Sequence, residues 1–267
     1  MSYGEIALSI LTLDLFQVDN IIFRYVYWRY CMFSRLLKAY KDQGFLVHCG
    51  NNHCPCAALA TLNGETLGNG GGIAITDIAF FVGLSKIFTP NRILIIGNAF
   101  GYSAFCLAEV FPGIHIDTMD AEIEGDFNRS GNGSQLTRDI SSRYYGNQVE
   151  VKVGLCPEDL IKCLENNKYD LIFLDGHHTN EQQLKDLNGL ASVAANTCIM
   201  YLHDVETHRI IESYDTFNNT NGFHGYSVDF SCFGCKALVR SNQEVENWLS
   251  LIHESPYKEH RDYWLSK

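Results

Sequence analysis

A chain of 267 residues, 46% hydrophobic and 19% charged, has the size and composition of one large globular α/β unit with additions, and it can bury a sizeable core. Its formal net charge of −11 disfavours a nucleic-acid backbone as ligand, because phosphate contacts need a basic surface. The ten cysteines are scattered rather than arranged as a secreted framework, so a reducing, cytoplasmic setting is expected.

Residues 1–16 contain an apolar stretch, but Glu5 and Asp14 flank it without the basic start and cleavage site of a signal peptide. No apolar run reaches the roughly 18 to 20 residues of a membrane span. Residues 19–40 are rich in aromatic and basic side chains, with Ile22, Val26, Tyr30 and Phe33 on one side of a helical projection. That predicts an amphipathic helix packing on the main domain or on a second copy of the chain; a lid over the substrate or a membrane-surface helix are the other readings. Next, His48, Cys49, His53, Cys54 and Cys56 crowd potential zinc ligands into one stretch, and Cys232 and Cys235 form a C-x-x-C. A cysteine pair separated by one proline is not a usual zinc knuckle, so packing is the expected role. The glycine-rich residues 67–73 read as a flexible loop at the mouth of the site, before a helix over 75–88.

The most informative stretch begins at Arg92. Ile93 to Ile96 are apolar without alternation, as in a strand buried on both faces. Gly97 and Gly101 then bracket a turn where the backbone bends sharply and approaches a ligand, and Ser103, Ala104, Leu107 and Ala108 fit the packed face of a helix. The glycine spacing lacks the third glycine of a dinucleotide fingerprint, and there is no lysine-bearing phosphate loop. The cradle therefore suits an adenosine ligand without a long phosphate chain. Residues 114–119 form a second strand, and Asp120, or its neighbour Glu122, falls where a carboxylate meets ribose hydroxyls in such folds. Either acid could instead cap the next helix.

Further strands are expected near 149–153, 169–174, 198–203, 225–230 and 236–240, with helices between most of them. This is a doubly wound α/β pattern on a mainly parallel seven-stranded sheet. The link between the last two strands is too short for a parallel crossover, so they form a hairpin and the last strand is reversed. Residues 124–142, polar and rich in Gly, Asn and Ser, read as a flexible surface insertion. Three segments follow: a helical or loop extension over 1–66, a core domain over 67–242, and a helical appendage over 243–267 anchored by Trp248, Leu249, Ile252, Tyr263 and Trp264.

Three motifs carry a family resemblance. IIGNAFGYS over 95–103 resembles the first motif of class I S-adenosylmethionine-dependent methyltransferases, YDLIFLDGHH over 169–178 resembles the fourth, and IMYLHDV over 199–205 resembles the next strand. The His-Asp pair in the last is similar to that of the branch with catechol-type and antibiotic or macrolide-sugar O-methyltransferases. The resemblance spans about residues 70–240 and implies methyl transfer to a small-molecule oxygen. It implies that Gly97, Asn98, Ala99, Phe100, Gly101, Ser103, Asp120, Glu122 and Asp175 hold S-adenosylmethionine, and that Leu155 and Cys156, with Gly154, face the adenine. The reversed last strand is a further mark of that fold. An NAD-linked oxidoreductase and a catalytically silent cofactor-binding relative are the alternatives.

Asp175 and Asp204 each end an apolar strand, so parallel neighbours would bring both carboxylates to one carboxyl edge, where ligands sit in open sheets. Two carboxylates with imidazoles nearby suit a hard cation such as Mg²⁺, which would bind and acidify a substrate hydroxyl. The resembling enzymes often have an Asp or Asn beside the second acid; here Val205 stands there, leaving His177 or Glu206 as substitutes. The competing account has His177, His178 or His203 as general base without a metal.

Overall fold

The structure, a computed structural model, describes residues 33–49, 57–68, 72–123, 125–164, 167–228, 231 and 233–252. Its centre is a seven-stranded sheet of β4 (Arg92–Ile96), β5 (His115–Asp120), β6 (Val149–Val153), β7 (Tyr169–Leu174), β8 (Ala194–Leu202), β9 (His224–Val228) and β10 (Cys235–Arg240). The spatial order is β6-β5-β4-β7-β8-β10-β9. The β4–β5, β5–β6, β4–β7 and β7–β8 pairs are parallel, and β10 alone runs antiparallel to its neighbours β8 and β9. The expected seven strands and reversed last strand are thus present, with that strand lying one place in from the edge.

Alternate residues of the central strands enter different cores, as a pleat of period two requires. Ile93, Ile95, Leu171, Phe173, Ile199 and Tyr201 pack on one face, while Leu94, Ile96, Ile172, Leu174, Met200 and Leu202 pack on the other. Both faces are covered, which explains why these strands read as unbroken apolar runs. The first face carries α1 (Ser34–Asp42), α2 (Ile75–Leu84), α3 (Tyr102–Val110), α5 (Asn132–Tyr144) and α9 (Gln243–Ile252). The second carries α6 (Leu160–Leu164), α7 (Asn180–Val193) and α8 (Ile211–Phe217). Each fully buried Leu, Ile or Phe contributes about 1.5–3 kcal/mol relative to exposure.

Helix α1 packs on this core through Leu36, Ala39 and Tyr40. Arg35 grips Glu109 with two 2.9 Å hydrogen bonds, and the Tyr40 hydroxyl donates to the Phe100 carbonyl at 2.6 Å. Ile22, Val26 and Tyr30 lie outside the described residues, as do Cys54, Cys56, Cys232, Tyr263 and Trp264. Trp248 of α9 packs against Phe80, ring centres 5.2 Å apart.

Two regions depart from expectation. A second sheet of β1 (Phe45–Cys49), β2 (Ala57–Thr61) and β3 (Thr66–Gly68), in the order β1-β2-β3, occupies sequence read as loop and helix. Its strands are short, and β2, with three alanines in five residues, has little β-propensity of its own. The supposed flexible insertion over 124–142 instead contains α4 (Gly125–Arg129) and α5, with Gly133, Ser134, Leu136 and Thr137 buried. Its small polar residues are there for close packing, not for mobility.

A cleft at the carboxyl edge of the sheet

The chain leaves β4 toward one side of the sheet, through β5 and β6, and then returns to start β7 on the other side of β4. A crevice opens at that reversal. It is a cleft of about 330 Å³. Gly97, Asn98, Ala99, Phe100 and Ser103 line it after β4. Asp120 lines it after β5, and Gly154, Leu155 and Cys156 after β6. Asp175 and His177 close it after β7. Leu59, Leu67 and Gly72 wall it from the small sheet and the segment that follows, so the glycine-rich stretch does reach the cleft. Gly101, Glu122, His203 and Asp204 are not among the lining residues.

The loop after β4 owes its shape to close neighbours. Gly97 has φ +94°, and a Cβ there would collide with the carbonyl oxygen of Asp175. The sequence reading reserved that space for a ligand; the neighbouring strand end fills it instead. Gly101, at φ +83°, would likewise collide with Thr137 of α5, and Gly133 of α5 lies against the Ala99 carbonyl. Helix α5 is therefore a clamp on the loop. Asp120 completes it: Oδ2 accepts from the Asn98 and Ala99 amides at 2.7 and 2.8 Å, and Oδ1 from the Glu122 amide at 2.6 Å. Asp120 thus fastens the glycine loop, while Glu122, at φ +55°, is not among the lining residues. Ser103 is also engaged, accepting from the Ile73 amide at 3.2 Å.

The other half of the edge is a cluster of imidazoles and carboxylates. His203 is fully buried. Its Nε2 lies 3.2 Å from Asp77 Oδ2, and its Nδ1 lies 3.3 Å from both Asp175 Oδ1 and Asp204 Oδ2. Burial lowers the His203 pKa, but the surrounding carboxylates, Asp175 foremost, outweigh this and hold it well above the ordinary value. Burial likewise pushes Asp175 up, and the charges and hydrogen bonds of His203 and His178 hold it well below the usual carboxylate range. Asp77 also accepts from the Tyr201 hydroxyl at 2.6 Å, the Ser231 hydroxyl at 2.8 Å and the Ala74 amide at 2.9 Å. These bonds fix the first turn of α2 to the ends of β8 and the β9–β10 link. They also count against His203 as a general base: it is fully buried, both ring nitrogens face carboxylates, and it does not line the cleft.

His178 and His208 stand at the outer side of Asp204, each Nε2 3.7 Å from Oδ2, with their rings stacked 4.2 Å apart. His178 also contacts Asp175 Oδ1 at 3.2 Å. Asp204 is 4% exposed, has φ +57°, and its Oδ1 is buried without a hydrogen-bond partner. His208 escaped the sequence reading, although it lies one helical turn after Asp204, its amide donating to the Asp204 carbonyl at 3.0 Å. Asp186 was missed as well; it lines the cleft beside Cys156, and burial raises its carboxyl to about 6.

This donor set does not fit Mg²⁺, which wants an octahedron of oxygens. Val205, where a third oxygen would stand, is fully buried. Glu206, the proposed substitute, accepts from Lys236 at 2.6 Å. Asp175 Oδ1 and Asp204 Oδ2 both face imidazole nitrogens.

Residues 94–205 match the family model of a methyltransferase domain. No curated protein matches the chain by sequence. Among solved structures, an O-methyltransferase from Bacillus cereus in complex with S-adenosylhomocysteine is 20% identical, with a TM-score of 0.50 over 63% of this chain and 82% of that one. The O-methyltransferase TomG of Streptomyces achromogenes, involved in tomaymycin synthesis and solved with S-adenosylmethionine, is 14% identical, with a TM-score of 0.54 over 81% and 95%. A Staphylococcus aureus protein named provisionally as a caffeoyl-CoA O-methyltransferase is 13% identical, with a TM-score of 0.57 over 84% and 100%. At these identities the likeness is one of fold.

Proposed function

We propose that this class I S-adenosylmethionine-dependent methyltransferase delivers its methyl group to a hydroxyl oxygen of a small molecule. The observation that carries the reading is the cleft itself. Its backbone-built wall after β4, β5 and β6 faces a wall of imidazole and carboxylate after β7. On this reading the loop over 97–101 holds the methionine end, Asp120 meets the ribose with the lone pairs its loop bonds leave over, and Leu155 and Cys156 cover the adenine. The acidic chain disfavours a polyanionic acceptor.

Transfer is an in-line displacement. The acceptor oxygen forms a bond to the methyl carbon, the carbon–sulfur bond breaks, and sulfur keeps the electron pair, leaving S-adenosylhomocysteine. Holding donor and acceptor in line supplies most of the acceleration. The hydroxyl proton goes to His177, which lines the cleft and is exposed. His203 acts at one remove, keeping Asp175 ionised and the two strand ends in register.

The test pairs calorimetry with turnover. S-adenosylhomocysteine should bind with one site per chain, and NAD should not bind. With methyl-labelled S-adenosylmethionine, label should move to hydroxylated acceptors and be lost on their deoxy analogues. Binding of NAD in place of S-adenosylhomocysteine would overturn the cofactor; transfer to amines or thiols alone would overturn the acceptor.

A further inference from the structure

We infer that Asp186 and Gln182 of α7 form a specificity subsite that reads the exocyclic amino group of the cofactor's base, selecting an adenosyl ligand over a purine with a carbonyl in that position. This rests on the reading that Leu155 and Cys156 cover the adenine. Both side chains line the cleft, one helical turn apart on the same face of α7. Asp186 is a buried carboxylate, 2% exposed, for which the displacement step has no use. Gly176 leaves it room: a Cβ there would stand 3.4 Å from Asp186 Oδ2, so a larger side chain would crowd the carboxylate.

The loop after β6 has little backbone to spare for this task. The Gly154 amide donates to the Asp120 carbonyl at 2.9 Å, the Leu155 amide donates to Asp159 Oδ2 at 3.0 Å, and Pro157 has no amide. The Leu155 carbonyl accepts from the Asp159 amide at 2.8 Å, and the Cys156 carbonyl accepts from Gln182 Nε2 at 2.8 Å. Polar reading of a base therefore falls to side chains. Gln182 Nε2 places its other hydrogen on Asp186 Oδ1, at 2.9 Å, so Gln182 has only its carbonyl oxygen left for a ligand. The Cys156 thiol also hydrogen-bonds to Asp186. Burial raises the Asp186 carboxyl to about 6, although the bonds from Gln182 and Cys156 lower it, so at neutral pH it is ionised and has no proton to give. The two side chains thus offer acceptors only. An amino group brings two N–H donors to such a pair, whereas a carbonyl oxygen brings none and leaves buried lone pairs facing lone pairs.

Calorimetry with two ligands tests this: S-adenosylhomocysteine, and S-inosylhomocysteine, which carries a carbonyl oxygen in place of the amino group. The wild-type protein should bind the inosyl compound at least about a hundredfold more weakly, because the polar groups of the subsite are then left unpaired. Asp186→Asn, of equal size, can turn an N–H toward that carbonyl, so the ratio of the two affinities should shrink at least about tenfold. Gln182→Leu removes one acceptor and should weaken the adenosyl ligand about fivefold while leaving the inosyl ligand nearly unchanged. Thermal melting of the unliganded variants checks that they fold; if Asp186→Asn does not, the ratio in Gln182→Leu decides the matter. Equal wild-type affinity for the two compounds, or a ratio unmoved in the folded variants, overturns this inference and leaves the methyltransferase reading standing. Failure of the wild-type protein to bind S-adenosylhomocysteine at all overturns that reading, and the subsite with it.

Discussion

The two walls of the cleft hold their shape by different means. After β4, β5 and β6 the chain is fixed through its backbone: positive-φ glycines, amides donating to Asp120, and α5 lying against the loop. After β7 and β8 it is fixed by side chains, with one buried imidazole shared among the carboxylates of Asp77, Asp175 and Asp204. A backbone-built wall depends on shape and tolerates changes of surface side chains. A charge-built wall fails as a unit, because each ion is buried only by virtue of the others.

Removing one ion should therefore have the largest effect. Asp77→Ala strands a buried His203 beside three lost hydrogen bonds, and urea unfolding should show a loss of about 3–5 kcal/mol. A loss below about 1 kcal/mol would mean the second wall is not a unit. On the first wall, Gly97→Ala combines strain at positive φ with a collision against the Asp175 carbonyl. Calorimetry should find S-adenosylhomocysteine affinity down at least a hundredfold, about 2.7 kcal/mol. Wild-type affinity there would show that the loop has room the comparison denies it.

A third experiment asks whether buried charge also matters at the far end of the first wall. Asp117, on β5, accepts from Arg92 Nε and the Tyr169 hydroxyl at 2.7 Å each. Burial raises its pKa, but Arg92 and Tyr169 outweigh this and lower it. A depressed carboxyl stabilises the fold above the unfolded value of about 3.9 and loses that contribution as pH falls through the folded value. Denaturation midpoints should thus fall below about pH 4 in the wild type, and Asp117→Asn should remove that part of the slope while costing about 1.5–3 kcal/mol at neutral pH. The smallest effect belongs to Leu155→Ala. Leu155 is 41% exposed in the cleft, so the free protein should keep its stability while S-adenosylhomocysteine affinity falls about threefold, under about 1 kcal/mol. A larger loss of stability than of affinity would reverse its assignment.

The same contrast explains what was legible in the sequence. The backbone wall was readable because its signals are local: Ile93 to Ile96 and the glycines that follow lie within ten residues of each other, and the central strands β4 and β7 each carry a short apolar run. The charged wall was readable only in part. Asp175 and Asp204 were placed at one edge from parallel strands alone. His203 was misjudged because its burial comes from Asp77 and Phe233, remote in sequence, and no local pattern reports that. Likewise α5 was misread because the glycine and serine that suit a loop also suit a helix pressed against another backbone. The small sheet of β1, β2 and β3 has alanines where a strand signal would want branched residues.

The bond between Asp77 and the Ser231 hydroxyl spans 154 positions of sequence. A ribosome adding roughly 5–20 residues per second needs about 8–30 s to cover that distance. Throughout that interval the start of α2 has emerged with an acid whose partners have not been made. The nascent chain can assemble its backbone wall from β4, β5 and β6 as they appear, but the charged wall must wait for residue 231. Truncated products that stop before residue 231 should accordingly carry a formed loop beside an unfinished edge, and be the species that cellular proteases remove first.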